Sequence, residues 1–303
     1  MEINSKQLQY VLTLAREGSF SRAADALNIS QPSLSQYIKK TEDKVGLELF
    51  DRTNGSVRIT DAGRVYIEAG RKILDIEHQM ENSLIDLAVN KKGSLIIGTS
   101  PYRAAAMMPL VASRFQMVYP GVHLIIREGT TTELIDGLEH GEFDLALTML
   151  PVNTGLFYYE KVVDEELLLA VPGKRPALPS KVLRDRKYPA VSTGVLNGQS
   201  LVMLTDTQFM QMQLESFCVN YHLSIRPASV VKSLEAQIQM VKAGVGMALI
   251  PSGIEYFCNN DEVRFYSFIE ELPRRQVVVV WRKGQKLSRV AEELKTVIHS
   301  IQW

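Results

Sequence analysis

Three short apolar stripes at helical spacing occupy the first 60 residues: Leu8, Val11, Leu12 and Ala15; Phe20, Ala23, Ala24 and Leu27; Leu34, Ile38 and Val45. Residues three and four apart share one helix face, so each stripe predicts a helix too narrow to stand alone, and together they predict a compact cluster. Gly18-Ser19 punctuates the first junction and Leu27-Asn28-Ile29-Ser30 the second. Ser19 and Ser30 stand where N-caps are wanted, and Pro32 falls in a first helical turn, where its missing N–H costs nothing. Gly46, the run 47–50, a polar turn at 51–56 and Val57-Arg58-Ile59 then predict a short hairpin or wing. Thr60-Asp61 caps a further helix along which Ala62, Tyr66, Ala69, Ile73, Ile76, Met80, Leu84 and Leu87 recur close to the coiled-coil repeat. So narrow a stripe on so long a helix, with polar flanks, suits a dimerising seam better than packing on its own domain.

After Lys91-Lys92-Gly93 the pattern changes to alternating strands and helices, the signature of an α/β architecture. It predicts strands over 95–98, 122–127, 144–147, 167–171, 201–204, 228–231, 245–250, 263–268 and 277–281, with helices over 100–118 and 132–140. The βαβ units imply a parallel sheet with right-handed crossovers. So many strands exceed one small sheet and predict two α/β lobes with a cleft between them, the Pro-rich and basic stretch 173–189 being loop.

A chain of 303 residues has room for two globular units, and its 46% apolar and 22% charged composition leaves no case for disorder. Lys plus Arg and Asp plus Glu both number 34, so no net field draws the molecule to nucleic acid or to an anionic membrane, and any DNA affinity must be local. The N-terminus lacks a basic run followed by an apolar core, and no apolar stretch reaches the roughly 18 residues of a membrane helix, which disfavours secretion and membrane partners. The two cysteines, Cys218 and Cys258, lack CxxC spacing and are too few for a disulfide scaffold or a cysteine zinc module; a cytoplasmic location fits best.

The segment SFSRAADALNISQPSLSQYIKKTEDKVGLELFDRT resembles the winged helix-turn-helix of the LysR-type transcriptional regulators. The resemblance rests on Ala23-Ala24, Ser30-Gln31-Pro32-Ser33-x-Ser35, Glu42, Gly46 and Leu49-Phe50-x-Arg52, and the long helix and α/β remainder extend it over essentially the whole chain. Thr41 departs from the family pattern, which has Leu before Glu42. The resemblance implies a non-enzymatic regulator: an N-terminal all-α winged helix-turn-helix (1–60), a linker and dimerisation helix (61–90), and a two-lobed effector domain like a periplasmic binding protein (91–303). Its first lobe would cover 91–163 and 268–303, and its second 164–267. It also implies a homodimer or homotetramer on promoter or operator DNA, with contact to RNA polymerase allowed for.

A helix opening with short polar side chains can enter the roughly 12 Å major groove, bringing Gln31, Pro32, Ser33, Ser35 and Gln36 to base edges. Gln36 is the best single reader, because Gln pairs bidentately with adenine whereas Ser accepts several bases. Arg22, Lys39, Arg52 and Arg58 are assigned mainly to phosphates, with Arg52 or Arg58 available to the minor groove. Residues 1–60 hold eight basic side chains against seven acidic ones, a net of about +1, so a single module predicts weak binding and linked modules useful binding.

Thr130-x-x-Glu133 and Thr205-x-x-Gln208 both carry the capping-box pattern after a strand, and Ser100-Pro101 opens a helix after another. Helix N-termini beyond the carboxyl ends of parallel strands suit anions, so Thr99, Ser100, Thr130, Thr131, Thr148 and Thr205 are candidate hydroxyls for a small organic anion. Met149, Leu204 and Val231 supply apolar wall; Arg103 is positioned for a carboxylate, though a helix-surface role weighs against it. The five histidines show no metal spacing, no GxSxG elbow or P-loop occurs, and Gly244-x-Gly246 precedes a strand rather than following one, so no catalytic residue, metal or cofactor is nominated. Some LysR-type proteins sense peroxide; residues 201–218 resemble that segment with Cys218 at the resolving position, but Phe209 stands where the peroxide-reacting cysteine belongs. The rival reading is a solute-binding or enzymatic α/β protein that uses its helix-turn-helix for protein contacts.

Overall fold

Leu8, Val11, Leu14, Ala23, Leu34 and Ile38 close against one another where α1 (Ser5–Glu17), α2 (Phe20–Ala26) and α3 (Gln31–Val45) meet, each at most 1% exposed. The computed structural model describes residues 4–51, 57–87, 93–205, 209–258, 261–272, 275–284 and 286–303. The chain divides into two compact units, residues 1–89 with 139–142 and residues 90–138 with 143–303. In the first, the Asn4 side chain caps α1 by accepting from the Lys6 N–H, and Gly18 ends it at φ +60°, which glycine adopts without a Cβ clash. Ser30 caps α3 by accepting from the Ser33 N–H. Ser19 precedes α2 with extended backbone but makes no cap hydrogen bond; burial of Ala23 and Ala24 holds that helix instead.

β1 (Phe50–Asp51) pairs antiparallel with β2 (Arg58–Ile59), Phe50 opposite Ile59, to make the expected wing. α4 (Asp61–Leu87) starts directly behind it. The Thr60 hydroxyl donates to the Glu48 carbonyl and accepts from the Gly63 N–H, and a Cβ on Gly63 would lie 2.1 Å from the Leu49 carbonyl oxygen. Only glycine permits that approach. Ile67 and Gly70 are buried, Gly70 against Leu8, and Ala62 and Tyr66 pack partly on the same core. The first two residues of the expected seam therefore serve their own domain, while Val65, Ala69, Ile73, Ile76 and Met80 form the exposed apolar row; Leu84 and Leu87 have side chains outside the described residues.

The second unit runs β3 (Gly93–Thr99), α5 (Pro101–Ala106), α6 (Met108–Val118), β4 (Val122–Glu128), α7 (Thr131–Glu139), β5 (Leu145–Met149) and β6 (Phe157–Glu165). It continues with β7 (Leu167–Pro172), β8 (Ala190–Val191), β9 (Ser200–Leu204), α8 (Phe209–Asn220), β10 (Arg226–Val231) and α9 (Leu234–Lys242). β11 (Ala248–Pro251), β12 (Val263–Phe268), β13 (Arg275–Arg282) and α10 (Arg289–Ser300) complete it. Among the described residues the strands form a five-stranded sheet ordered β4-β3-β5-β13-β6, a four-stranded sheet ordered β11-β7-β12-β8, and the pair β10-β9. The first sheet is the core of one lobe; the other two belong to the second.

Three expectations change. β3 is parallel to β4 and β5, but β13 is antiparallel to β5 and β6, and β7 is antiparallel to β11 and β12, so the sheets are mixed. β13 enters its sheet only after the chain has traversed the other lobe, so no helical crossover fixes its direction. β6 was not expected at all: carrying Glu160, Lys161, Asp164 and Glu165, it is, among the described residues, an edge strand paired with β13 alone and needs no apolar run. The single helix expected over 100–118 is two, broken at Met107, because Pro109 lacks the N–H an unbroken helix would use and belongs in the first turn of a new one.

Alternation along β7 fixes the second lobe's core. Leu167, Leu169 and Val171 face Phe217 and Phe268 on one side, while Leu168 and Ala170 face Val241 and Ile250 on the other. Gly244 adopts φ +85° just beyond α9, the turn expected of Gly244-x-Gly246. Asp144 is structural, its carboxylate accepting from the Ile96 N–H at 2.8 Å. No helix among the described residues is long and apolar enough to cross a membrane.

Candidate functional site

α3 presents the first candidate surface. Gln31, Pro32, Gln36 and Lys39 are exposed, with Ser33 and Ser35 half-buried. Pro32, Gln36 and Lys39 recur at four and three residues, hence on one face. Ser33 Oγ lies 2.8 Å from Ser30 Oγ, and Ser21 Oγ donates to Gln31 Oε1 at 3.3 Å, so these polar groups already brace the helix start. Arg22 is exposed, with its guanidinium donating to the Glu17 carbonyl, and Arg58 is exposed on the wing strand. Arg52 lies outside the described residues. Glu42 acquires a role that its motif position did not reveal: its Oε1 accepts from the N–H groups of Leu49 at 2.9 Å and Phe50 at 3.1 Å, tying α3 to the wing. Thr41 is buried and its hydroxyl donates to the Tyr37 carbonyl, which satisfies the group that departs from the family pattern.

The second candidate surface is the carboxyl edge of the two lobes. Thr99, Ser100, Thr130, Thr131, Thr148 and Met149 lie at the ends of neighbouring strands β4, β3 and β5, while Leu204, Thr205 and Val231 end β9 and β10, with Val231 opposite Leu204. Their chemistry is uneven. Thr99 is fully buried and donates to the Leu147 carbonyl. Thr130 and Glu133 complete the expected capping box, Glu133 Oε2 accepting from both the N–H and the hydroxyl of Thr130. The second box lies outside the described residues at Gln208. Thr148 is 1% exposed and its hydroxyl has no hydrogen-bond partner among the described residues.

Arg103 overturns its helix-surface reading. Its side chain is 6% exposed, donates to Ser100 Oγ at 3.3 Å, and pairs with Glu165 at 3.0 Å. Glu165 ends β6 and stands opposite Arg275, the first residue of β13, whose guanidinium is 3.8 Å from the same carboxylate oxygen. Arg275 also donates to the Met149 sulfur at 2.6 Å and to the sulfur of Met210 on α8, so it joins one lobe to the other. Burial, with Arg103 adding to it and Glu165 opposing, pulls the Arg275 pKa down to about 10. A pocket of about 210 Å³ adjoins Glu165 at the two crossovers between lobes; Asp164, Glu166, Asp185 and Glu270 make its wall acidic. Among the described residues no group of three or more His, Cys, Asp or Glu side chains is placed to hold a metal.

The model of the lysR family of bacterial regulatory helix-turn-helix proteins matches residues 5–64, and that of the LysR substrate binding domain matches residues 89–301. The chain belongs to the LysR family. As a LysR-type protein it is a DNA-binding transcriptional regulator with an effector domain, and not an enzyme. It is 28% identical over 299 residues to the DNA-binding transcriptional dual regulator OxyR of Escherichia coli, covering 98% of this chain and 95% of that one. A hydrogen peroxide-inducible genes activator of Haemophilus influenzae is 26% identical over 310 residues, covering 99% and 100%. A cysteine-to-aspartate variant of full-length OxyR from Pseudomonas aeruginosa superposes with a TM-score of 0.68 at 25% identity, covering 98% and 95%. The LysR family regulator CbnR shares the fold at a TM-score of 0.63 and 18% identity, covering 98% and 99%.

Sequence reasoning missed Glu165, Arg275 and Met210 in this LysR-type chain. Read as parallel, β13 would have started at the opposite edge of its sheet. Its antiparallel course instead puts Arg275 beside the carboxyl end of β5, with Val277 opposite Met149. A charged residue at the head of an all-valine run was the one signal available.

Proposed function

We propose that this regulator reads DNA through the exposed face of α3, with Gln36 at a base edge, Gln31, Pro32, Ser33 and Ser35 beside it, and Arg22, Lys39, Arg52 and Arg58 on phosphates. The observation that carries the reading is the Gln36 face on a helix that Glu42 fixes to the wing. Copies pair through the exposed row Val65, Ala69, Ile73, Ile76 and Met80 into a dimer or tetramer. The protein works in the cytoplasm, and a small effector between the lobes of residues 91–303 shifts their closure, by no more than its differential affinity for the two states. The peroxide response named for its relatives is not carried over. Cys218 and Cys258 pack against separate cores on opposite faces of β7, and burial raises both thiols, which keeps them protonated at neutral pH.

Site selection on random duplexes with the full-length protein tests the DNA half. Gln36→Ala should relax one base position by about 1–3 kcal/mol while leaving the others intact. An unchanged base preference overturns the assignment of Gln36.

A further inference from the structure

Two guanidiniums and one carboxylate are buried together at the meeting of the lobes. Arg103, Glu165 and Arg275 have side chains 6%, 7% and 4% exposed, and among the described residues Glu165 is the carboxylate that both arginines share. Counted over the described residues, the cluster is thus one positive charge in excess, in a place where water cannot compensate it. Its hydrogen bonding is equally short of acceptors: the Nε atoms of both arginines are buried without partners among the described residues, and two donors of Arg275 end on the methionine sulfurs of Met149 and Met210. Thioether sulfur is a weak acceptor, and methionine is the side chain most easily re-packed.

We propose that Arg275, with Arg103, anchors the carboxylate of a small organic monoanion whose apolar part lies between Met149 and Met210. The carboxylate supplies the missing negative charge and the acceptors that sulfur supplies poorly, and an arginine fork is suited to bidentate contact with it. A dianion would reverse the imbalance rather than cancel it. A neutral ligand would leave it in place. The acidic pocket beside Glu165 has the wrong sign, so the ligand enters from the methionine side. This assignment rests on the reading of the cleft as an effector site, and names the chemistry of its ligand and the residue that holds it.

The test uses the full-length protein in thermal unfolding with sodium formate, sodium butyrate and sodium chloride at equal concentrations. Formate should raise the midpoint saturably by roughly 5 °C, more than chloride does, and butyrate should bind roughly tenfold tighter than formate through its added methylenes. Arg275→Met should abolish the response. Glu165→Gln, which leaves both guanidiniums unpaired, should bind formate more tightly than the natural protein, an effect that a purely structural cluster would not produce. Either variant suffices if the other fails to fold. A response that survives in Arg275→Met, no response in the natural protein, or chloride acting as well as formate overturns the assignment. Operator titration by anisotropy, with and without butyrate, separates the two layers: stabilisation without any change in DNA affinity keeps the anion site and removes its regulatory role.

Discussion

Two ionic clusters in the effector domain are built from the same parts and balanced in opposite directions. Around Lys295 the carboxylates are in surplus: its ammonium is 2.8 Å from Glu160 and 3.1 Å from Glu292, lies 4.0 Å from the Trp281 ring centroid, and shares Glu160 with His299. Around Glu165 the cations are in surplus. The pKa directions follow. Burial alone would lower Lys295, but its hydrogen bonds to Glu160 and Glu292 outweigh it and hold the value up, whereas burial of Arg275, reinforced by Arg103, prevails over Glu165. The exposures differ as well, Glu160 being 44% and Glu292 55% exposed while Glu165 is 7% exposed. A charge surplus that water can reach is a solved packing problem; one sealed from water is an unmet demand for a counter-ion.

The sharpest way to break this comparison is Glu165→Gln. Removing the one carboxylate from a sealed pair of arginines should destabilise the domain by about 3–5 kcal/mol, read from urea midpoints at neutral pH. A loss below about 1 kcal/mol would mean that water reaches the arginines after all. Lys295→Met is the milder counterpart, with an expected loss of about 1–2 kcal/mol, since Glu160 and Glu292 regain water and the stem's contact with Trp281 is largely kept. Equal losses in the two variants would erase the distinction. The smallest effect concerns acid stability. Glu160 is held below the usual 4.5; burial opposes this, and Lys295 and His299 outweigh it. A depressed carboxylate adds stability that is present above its unfolded value and lost as pH falls through the folded one, so Glu160→Gln should flatten the fall in midpoint below about pH 4.5. Arg275 follows the same slope at the alkaline end: burial pulls its folded value down to about 10, below the ordinary arginine value, so its contribution improves as pH rises above about 10.

The two units differ in how far they could be read in advance. The helices of the first unit, its glycine turn at Gly18, the Ser30 cap and the wing all depend on residues within one or two turns of each other, and these signals survive without knowledge of the fold. Ser19 shows the limit even there, since the residue type was right and the cap bond does not form. On α4, spacing alone could not separate the face that packs on Leu8 from the exposed one; Gly63 and Gly70 mark the buried side by what their missing Cβ atoms allow.

The sequence by itself determined the helix-turn-helix, the exposed Gln36 face, the α/β character of the remainder and the capping box at Thr130, because each is written in periodicity or in contacts three or four residues long. The tertiary structure decided which charges are buried together. Arg103 meets Glu165 across 62 positions, and Arg275 meets Met149 across 126 and Met210 across 65. Those encounters depend on an edge strand with no apolar run and on the antiparallel return of β13, and strand direction is set by the path of the whole chain through the second lobe rather than by any residue in the strand.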